Sequence, residues 1–450
     1  MLFLLFLCLV LIWMISFVLS KKDILSPPNA FCMVFIFCIL FAIPNIEIWN
    51  LEISNTTFGV IFLGVLFFCI GYYFVFYFNY NIDKNKILSK MNKEPIFILS
   101  NKKLYLFLGI QIITLFIMYM EINRISSNLG ISGSLSEKIF AYRLASFFGD
   151  KEEAKLATYA KALYDFCFCS SYFIMYKLVN DYFLLKKITK KYIFSILLSM
   201  GITLLSGGRG ESIFIIVGLI ILIYIHYMYI YNWNIKYKFL KVLKYLSIVV
   251  CLVIAFPLVG VFVIGRETES DTIISIVFNQ LSIYISAPLK LLDIYLNEEY
   301  ISTPYLPIGY YTFTRLYSRM AEIFNINFGI IEDGDFGFRE INGVSLGNVY
   351  TIFRPFYSDA ELLGVILFSI IMGAVFGYLY YYIKYSSLKS IEGKINYKMI
   401  IYIYLYIGIA LSFFSNFFYE TLVSIQFIKV LIYFKIFEYV FIKKIDRRKI

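Results

Sequence analysis

The stretch LLGVILFSIIMGAVFGYLYYYI, residues 362–383, contains no charged residue. About 20 consecutive apolar residues are enough to cross the hydrocarbon core of a bilayer as an α-helix. The rest of the chain has the same character, with 60% hydrophobic residues, 20% aromatic residues and a mean hydropathy of +0.77. This composition lies outside the range of soluble domains. The sequence therefore predicts an all-α polytopic membrane protein.

Apolar runs of similar length recur along the chain and predict about eleven transmembrane helices. They cover residues 2–19, 30–43, 57–78, 104–120, 158–179, 192–206, 212–231, 245–264, 362–383, 399–418 and 421–442. The longest interval between two of these runs is residues 265–361. The chain is thus predicted to have three parts: helices 1–8 in residues 1–264, a large loop in residues 265–361, and helices 9–11 with a basic tail in residues 362–450.

The large loop differs in charge from the remainder of the protein. Residues 265–361 contain six basic and thirteen acidic residues, although the whole chain has a net charge of +11. Lysine and arginine collect in the cytoplasmic connections of membrane proteins. The acidic loop should therefore lie on the outer face, and the chemistry of the protein should be sought there.

Lysine clusters test this orientation independently, because they fall on alternate connections. They are Lys21 and Lys22; Lys84 to Lys103; Lys186 to Lys191; Lys236 to Lys244; Lys384 to Lys398; and Lys443 to Lys449. With eleven spans, the N-terminus outside and the C-terminus in the cytoplasm, every lysine-rich connection lies on the cytoplasmic side. Orientation accounts for the positive net charge, so no nucleic-acid partner is predicted.

No metal site or cofactor is predicted. All seven cysteines lie inside predicted spans, which supports neither a disulfide framework nor a thiolate site. The acidic turn at residues 332–337 offers oxygen ligands for a divalent ion, but it lacks EF-hand spacing. A solvated loop tip is the favoured interpretation of this turn.

The sharpest local motif is the turn Ser206-Gly-Gly-Arg-Gly-Glu211, which joins two predicted spans. Glycine permits close approach of a ligand to the backbone, and the following helix presents unpartnered N–H groups. Together with Arg209, these groups at Gly208 and Gly210 predict an oxyanion or phosphate site. The alternative is a glycine hairpin with a snorkelling arginine, and Glu211 can satisfy the same helix end.

Two further arginines fall at predicted outer positions. Arg266 begins the large loop, and with Arg209 it would clamp a diphosphate. Arg143 lies in residues 138–148, whose apolar spacing predicts an amphipathic helix along the outer surface. Either this helix anchors the edge of the protein, or Arg143 points into a polar opening.

Within the large loop, residues 273–296 are too polar for a lipid-facing span and too apolar for a free loop. We expect interfacial helices there, broken at Pro288. Farther along, Arg315 and Arg319 are four residues apart and so share a helix face. With aromatic residues such as Tyr311 they suit a glycan groove, although interfacial anchoring is the commoner use of such a mixture.

The end of the loop supplies a candidate base. Asp359 follows Arg354 and Tyr357 and lies directly before the ninth predicted span. A carboxylate at a helix N-terminus is either a candidate base or an ordinary cap, and both interpretations stay open. Inside the spans, Lys161 with Asp165 and Lys435 with Glu438 are expected to pair. The only histidine, His226, is predicted near the inner side, which disfavours histidine catalysis on the outer face.

Several of these motifs occur together in one known family. The Gly-Gly-Arg-Gly turn, an arginine opening the large loop, Asn348-Val-Tyr-Thr351, and Tyr357-Ser-Asp359 before a glycine-rich span resemble the Wzy-type oligosaccharide repeat-unit polymerases of bacterial surface polysaccharides. Asp359-Ala-Glu361 departs from the Asp-Phe-Gly-like entry associated with that family. This departure leaves the role of Asp359 open.

The resemblance implies a GT-C-like membrane glycosyltransferase in the bacterial inner (cytoplasmic) membrane. It would transfer a glycan from polyprenyl diphosphate to the terminal hydroxyl of another lipid-linked repeat unit. Polyprenyl-diphosphate-linked oligosaccharides and the bilayer would be its partners, together with a flippase and a chain-length regulator. The expected roles are catalysis by Asp359 or Glu420, diphosphate binding by Arg209, Arg266, Arg143, Gly208 and Gly210, and glycan binding by Arg315, Arg319, Tyr311, Arg354 and Tyr357.

Two alternatives remain at this point. An O-antigen ligase would use the same donor and a different acceptor. A polysaccharide flippase or transporter would place ionisable residues near the bilayer midplane. The product would be capsule or the O-antigen of lipopolysaccharide.

Overall fold

The computed structural model describes residues 1–83, 96–148, 154–208, 210–234, 272–299, 309–326, 337–385 and 396–445. The helices are α1 (Leu2–Leu19), α2 (Pro27–Ala42), α3 (Asn55–Asp83), α4 (Asn101–Asn128), α5 (Leu135–Phe148), α6 (Thr158–Leu185), α7 (Lys190–Leu205), α8 (Gly210–Ile230), α9 (Ile273–Ile294), α10 (Thr314–Phe324), α11 (Phe353–Tyr385), α12 (Tyr397–Leu405), α13 (Ile407–Ala410), α14 (Phe417–Leu422) and α15 (Ile425–Phe441). The strands are β1 (Ile96–Leu99), β2 (Arg339–Ile341), β3 (Val344–Gly347) and β4 (Ile442–Ile445).

The chain is a mostly helical, multi-pass membrane protein. Within the described ranges, seven helical segments are long and apolar enough to cross a bilayer: Leu2–Leu19, Pro27–Asn45, Asn55–Ile82, Asn101–Asn128, Gly210–Ile230, Ile274–Asn297 and Phe353–Tyr385. Six of them coincide with predicted spans. The predicted spans 158–179 and 192–206 are the helices α6 and α7, and the predicted span 245–264 lies outside the described residues.

Two helix boundaries differ from the sequence prediction. The predicted break at Pro288 is wrong, because α9 runs through this proline as one helix. Neighbouring groups can satisfy the backbone carbonyl that a proline leaves without a donor in membrane helices. The predicted span 399–418 is instead interrupted: α12 and α13 are short, and α14 begins only at Phe417. Ser412 contributes to the break, because its backbone oxygen accepts from the N–H of Ile352 at 2.8 Å.

The contacts divide the chain into two compact units. The first comprises Met1–Met91, Phe278–Ser386 and Leu405–Phe427, and the second comprises Asn92–Val277, Ser387–Tyr404 and Ile428–Ile450. In the first unit, α3 and α11 make the most extensive helix pair. Small residues let membrane helices approach closely, and a Cβ at Gly373 or Gly377 would overlap the carbonyl groups of Phe68 or Tyr72 on α3.

The start of α3 is fixed by a residue far away in sequence. One carboxylate oxygen of Asp293 accepts from the backbone N–H of Ser54 at 3.0 Å and from the hydroxyl of Thr57 at 2.6 Å. A carboxylate near a helix N-terminus satisfies orphan N–H groups and complements the helix dipole. This contact ties the end of α9 to the first turn of α3.

In the second unit, α4, α5, α6 and α7 share an apolar cluster. Met118, Ile125, Ile139, Tyr142 and Ile202 are among its buried members. Strands β1 and β4 pair antiparallel, with Ile96 opposite Ile445. Both predicted ion pairs are confirmed in this unit, because the Lys161–Asp165 and Lys435–Glu438 pairs each have an N–O distance of 3.1 Å.

Candidate functional site

The densest set of sequence-predicted site residues in the first unit surrounds residues 309–315, here called the Gly309 segment. Gly309 has φ of +93°, a conformation that glycine adopts at little cost. Its carbonyl accepts from the N–H of Phe313 at 2.8 Å, and this closes a tight turn. The turn exposes consecutive backbone N–H groups that need acceptors.

Asp359 supplies those acceptors. Its Oδ1 accepts from the N–H of Tyr311 at 2.8 Å, and its Oδ2 accepts from the N–H of Thr312 at 2.9 Å. Hydrogen bonds to an ionised acceptor are stronger than those between neutral groups. Asp359 therefore holds the Gly309 segment from a position 47 residues away in sequence.

The position of Asp359 in the fold differs from the prediction. The backbone leaves helical geometry directly after it, at Ala360 (φ −160°, ψ 40°) and Glu361 (φ 49°, ψ −139°). Asp359 thus ends a short helical segment, and the long spanning part of α11 starts beyond the break. The interpretation of Asp359 as an ordinary cap of the following helix is wrong, because both oxygens accept from the Gly309 segment.

Glu420 approaches the same segment from α14. Its Oε2 lies 3.2 Å from Nη2 of Arg315, and the two side chains are 21% and 53% exposed, respectively. An exposed ion pair contributes little to stability because water screens it and two long side chains are ordered. The pair therefore leaves an accessible guanidinium beside a carboxylate, a combination that can bind an anion and accept a proton.

An aromatic cluster packs beside the Gly309 segment and α14. The ring of Phe313 lies 5.7 Å from that of Phe368 and 5.6 Å from that of Tyr419, and Phe356 lies 5.5 Å from Tyr419. Edge-to-face pairs at such distances are favourable beyond their buried area. The cluster fixes α14, and hence Glu420, against α11.

Asn416 is a site residue that the sequence reasoning missed. Its Nδ2 donates to the carbonyl of Thr312 at 2.8 Å, while its Oδ1 accepts from the N–H of Tyr419 at 3.4 Å. It thereby links the Gly309 segment to the first turn of α14. A signal was present, because Asn416 is the one amide side chain in the predicted span 399–418.

Arg354 takes an interior position, in contrast to its expected contact with glycan. Its side chain is 4% exposed, and the guanidinium lies 5.6 Å and 5.5 Å from the ring centres of Tyr295 and Tyr350. Cation–π contacts of this kind are strongest where the groups are desolvated. The hydroxyls of Tyr295 and Ser358 are 2.8 Å apart, which joins this cluster to the residue before Asp359.

The other residues expected to bind glycan are distributed around the segment. Tyr311 is buried and contributes its backbone N–H, and Tyr357 is half-buried. Arg319 lies on α10 and pairs with Glu322, and both side chains are exposed. Arg315 and Arg319 are on one helix as predicted, but they have different acidic partners.

A second polar cluster lies in the second unit, at the predicted glycine turn. Arg143 donates from Nη1 to the carbonyl of Gly207 at 2.6 Å. Gly207 has φ of +71°, and a Cβ on it would lie 2.9 Å from Cβ of Arg143 and 3.1 Å from the carbonyl oxygen of Ile139. The structure thus brings Arg143 to the turn that the sequence singled out.

The helix that carries Arg143 is partly internal. The side chains of Ile139 and Tyr142 on α5 are buried in the apolar cluster of the second unit. Burial raises the pKa of the Tyr142 hydroxyl to about 12, and the negative charge of Glu211 contributes in the same direction. Of the other predicted diphosphate ligands, Gly208 and Gly210 flank the turn, with Gly210 starting α8. Arg209 and Arg266 lie outside the described residues.

Comparison with known proteins identifies no relative of the chain. The chain matches no family model, no curated protein and no solved structure.

Proposed function

We propose that the chain is a membrane glycosyltransferase that polymerises lipid-linked oligosaccharide repeat units. Its donor would be a glycan on polyprenyl diphosphate, and its acceptor the terminal hydroxyl of a second lipid-linked unit. GT-C-like architecture and a site on the outer face of a bacterial cytoplasmic membrane belong to this proposal. Arg209 and Arg266 remain proposed diphosphate ligands on the sequence pattern alone.

One observation carries the proposal: two carboxylates from distant parts of the chain hold the same short segment. Asp359 holds the backbone of Tyr311 and Thr312, and Glu420 pairs with the side chain of Arg315. A transfer from a diphosphate needs a group that stabilises the departing anion and a group that takes a proton. Arg315 and Glu420 supply these two functions side by side.

The geometry favours Glu420 over Asp359 as the base. Both oxygens of Asp359 already accept backbone N–H groups, so this residue acts by positioning the Gly309 segment. Glu420 is held by a side-chain pair in a partly exposed setting, where a substrate can compete for its partner. A diphosphate carries more negative charge than one carboxylate, and guanidinium groups bind phosphate oxygens in bidentate fashion.

The proposed step follows from this competition. The diphosphate of the donor takes Arg315 from Glu420, and the released carboxylate becomes more basic because a neighbouring positive charge is lost. The acceptor hydroxyl oxygen bonds to the anomeric carbon, and its proton moves to Glu420. The bond from that carbon to the diphosphate oxygen breaks, and the lipid diphosphate leaves with the electron pair.

The test is a glycan ladder on a gel from cells that lack the chromosomal copy. These cells receive wild type, Glu420→Gln or Glu322→Gln at matched membrane levels. Wild type and Glu322→Gln should restore the ladder. Glu322 is an exposed carboxylate that pairs with Arg319, one helical turn beyond Arg315 on α10. Removal of a general base should lower the rate about 10²-fold or more, so Glu420→Gln should leave mainly single repeat units.

Other outcomes would identify the alternatives. If single repeat units fail to reach the outer face without the protein, it is a flippase. If polymer forms normally and stays on its lipid carrier, it is a ligase. If Glu420→Gln restores a full ladder, the assignment of Glu420 as the base is wrong.

A further inference from the structure

A groove on the first unit runs between α1 and α3. Its volume is about 660 Å³, and its apolar lining includes Ile12, Ile15, Leu66, Ile70, Phe74 and Phe78. Both helices are long and apolar enough to span a bilayer. Phe74 and Phe78 are strongly exposed, so the groove opens toward the hydrocarbon of the membrane.

The groove has a rigid floor. The hydroxyl of Tyr73 on α3 donates to the carbonyl of Ser16 on α1 at 2.8 Å, and that of Tyr77 donates to the carbonyl of Leu19 at 3.1 Å. In hydrocarbon, hydrogen bonds between helices replace contacts with water that is absent. These bonds fix the spacing of α1 and α3, and the cleft between them is therefore built into the fold.

Positive charge collects at one end of this groove. Lys21 and Lys22 follow α1 after Ser20 and are exposed, and the backbone N–H of Lys22 donates to the carbonyl of Phe17 on α1 at 2.8 Å. The nearby Asp23 is buried; its Oδ2 accepts from the Tyr380 hydroxyl at 2.7 Å and lies 3.5 Å from Nζ of Lys384, with which it forms an ion pair. The groove therefore ends in a basic surface that favours an anion.

The backbone at this end is unusual. Lys21 and Lys22 both have left-handed backbone geometry, with φ of 60° and 66°. Two consecutive lysines in this region are strained, and observed strain of this kind often marks a functional position. The strained turn keeps both lysines beside the last residues of α1, where Leu19 lines the groove.

We propose that this groove is a binding site for an anionic phospholipid. One acyl chain would lie along Ile15, Ile70 and Phe74, and the phosphate group would meet Lys21 and Lys22. Each lysine near an anionic headgroup adds measurably to lipid affinity. Tyr77 lies where aromatic residues meet the headgroup level of a membrane. The proposal is independent of the glycosyltransferase assignment.

The experiment measures lipid binding to the full-length protein by native mass spectrometry. Delipidated protein in detergent is titrated with phosphatidylglycerol or phosphatidylcholine that carry identical acyl chains. Wild type should bind phosphatidylglycerol about 30-fold more tightly, as two juxtamembrane lysines predict. The double variant Lys21→Gln and Lys22→Gln should bring the ratio to within about twofold of unity.

Two further variants control for charge and for the groove. Lys186 and Lys187 are also adjacent exposed lysines directly after a helix, and Lys186 is left-handed as well. Changing both to glutamine should leave the ratio unchanged. Ile70→Trp fills the groove and should weaken binding of both lipids about tenfold or more. A ratio near unity in wild type, an equal loss in the Lys186 and Lys187 variant, or full binding by Ile70→Trp would each overturn the proposal.

Discussion

The glycine turn at residues 206–211 and the Gly309 segment are each organised by a glycine with positive φ and by a charged residue from elsewhere in the chain. At the turn, a cation meets a backbone carbonyl, because Arg143 donates to Gly207. At the Gly309 segment, an anion meets backbone N–H groups, because Asp359 accepts from Tyr311 and Thr312. The segment also carries a partly exposed ion pair, Arg315 with Glu420.

This difference indicates different roles for the two regions. Nη1 of Arg143 already donates to the carbonyl of Gly207. This part of the guanidinium is therefore engaged and does not serve a phosphate. The Arg315–Glu420 pair is partly exposed and can exchange partners when a more highly charged anion arrives. The comparison therefore favours the Gly309 segment as the reactive region, although the glycine turn is the sharper motif in the sequence.

The largest expected effect is a difference in activity between the variants Arg315→Gln and Arg143→Gln. Loss of one donor to a developing anion lowers turnover about 10²- to 10³-fold, and we expect this for Arg315→Gln. For Arg143→Gln we expect a loss of less than about tenfold, because its observed role is to brace the turn and the loss of a brace affects the reaction only indirectly. Polymer formed per unit time by membranes with matched protein levels is the measurement. Equal losses in the two variants would contradict the assignment of the reactive role to the Gly309 segment.

The second prediction concerns the stability of the Gly309 segment. Asp359→Asn replaces one acceptor oxygen by an N–H₂ group that faces a backbone N–H donor. It should lower the free energy of unfolding by about 2–3 kcal/mol, since a charge-assisted hydrogen bond is lost and a donor is left unsatisfied. The measurement is a detergent-denaturation midpoint.

Glu361→Gln is the matched control for Asp359→Asn. Glu361 lies two residues farther along, in the same backbone break, and is exposed. Substitutions at exposed positions usually change stability by less than about 0.5 kcal/mol. Equal shifts in both variants would mean that the break itself, and not the Asp359 contact, is the sensitive feature.

The third prediction tests the glycine turn. Gly207→Ala places a Cβ at a positive φ and within 2.9 Å of Cβ of Arg143, so it should cost about 1–3 kcal/mol. Gly210→Ala should be neutral or stabilising, because Gly210 begins α8 and nothing lies within 4 Å of an added Cβ. Thermal melting of both variants is the measurement. If Gly207→Ala has the same melting temperature as wild type, the turn accommodates the added Cβ without a loss of stability, and its conformation is not fixed by Arg143.

The smallest expected effect is that of Arg143→Gln on stability. It removes one hydrogen bond to a backbone carbonyl, which contributes about 1 kcal/mol, or up to about 3 kcal/mol where the donor is charged. Part of Arg143 stays exposed to water, so we expect the lower value. A loss near 3 kcal/mol would show that the turn depends on Arg143 as strongly as the Gly309 segment depends on Asp359.

Hydropathy was enough to predict a mostly helical, multi-pass membrane protein. Within the part of the chain that the structure describes, apolar runs located six of the seven helices that are long and apolar enough to cross a bilayer, and spacing along one helix predicted the Lys161–Asp165 and Lys435–Glu438 pairs. These features depend on residues close together in sequence. Hydropathy did not predict that α9 continues through Pro288 or that residues 399–418 are interrupted, because both outcomes depend on packing and hydrogen bonds from other elements.

The candidate site was predictable only as separate residues. Asp359 and Arg315 were named from local patterns and Glu420 only with the family resemblance, and nothing in the sequence indicated that the three meet at one segment. The contact between Asp359 and Thr312 and the bond from Asn416 to Thr312 cross 47 and 104 residues. Such contacts are set by the packing of α10, α11 and α14, which periodicity alone does not fix.

The most direct test of the account is polymerisation by purified protein in nanodiscs with a polyprenyl-diphosphate-linked repeat unit as the only substrate. We predict that wild type releases polyprenyl diphosphate as the glycan lengthens, with one lipid released per added unit. Glu420→Gln should lower both rates together, about 10²-fold or more, with tighter substrate binding, because the variant no longer competes with the diphosphate for Arg315. Wild-type protein that releases no lipid, or a Glu420→Gln variant as fast as wild type, would contradict the central claim that the Arg315–Glu420 pair performs the transfer.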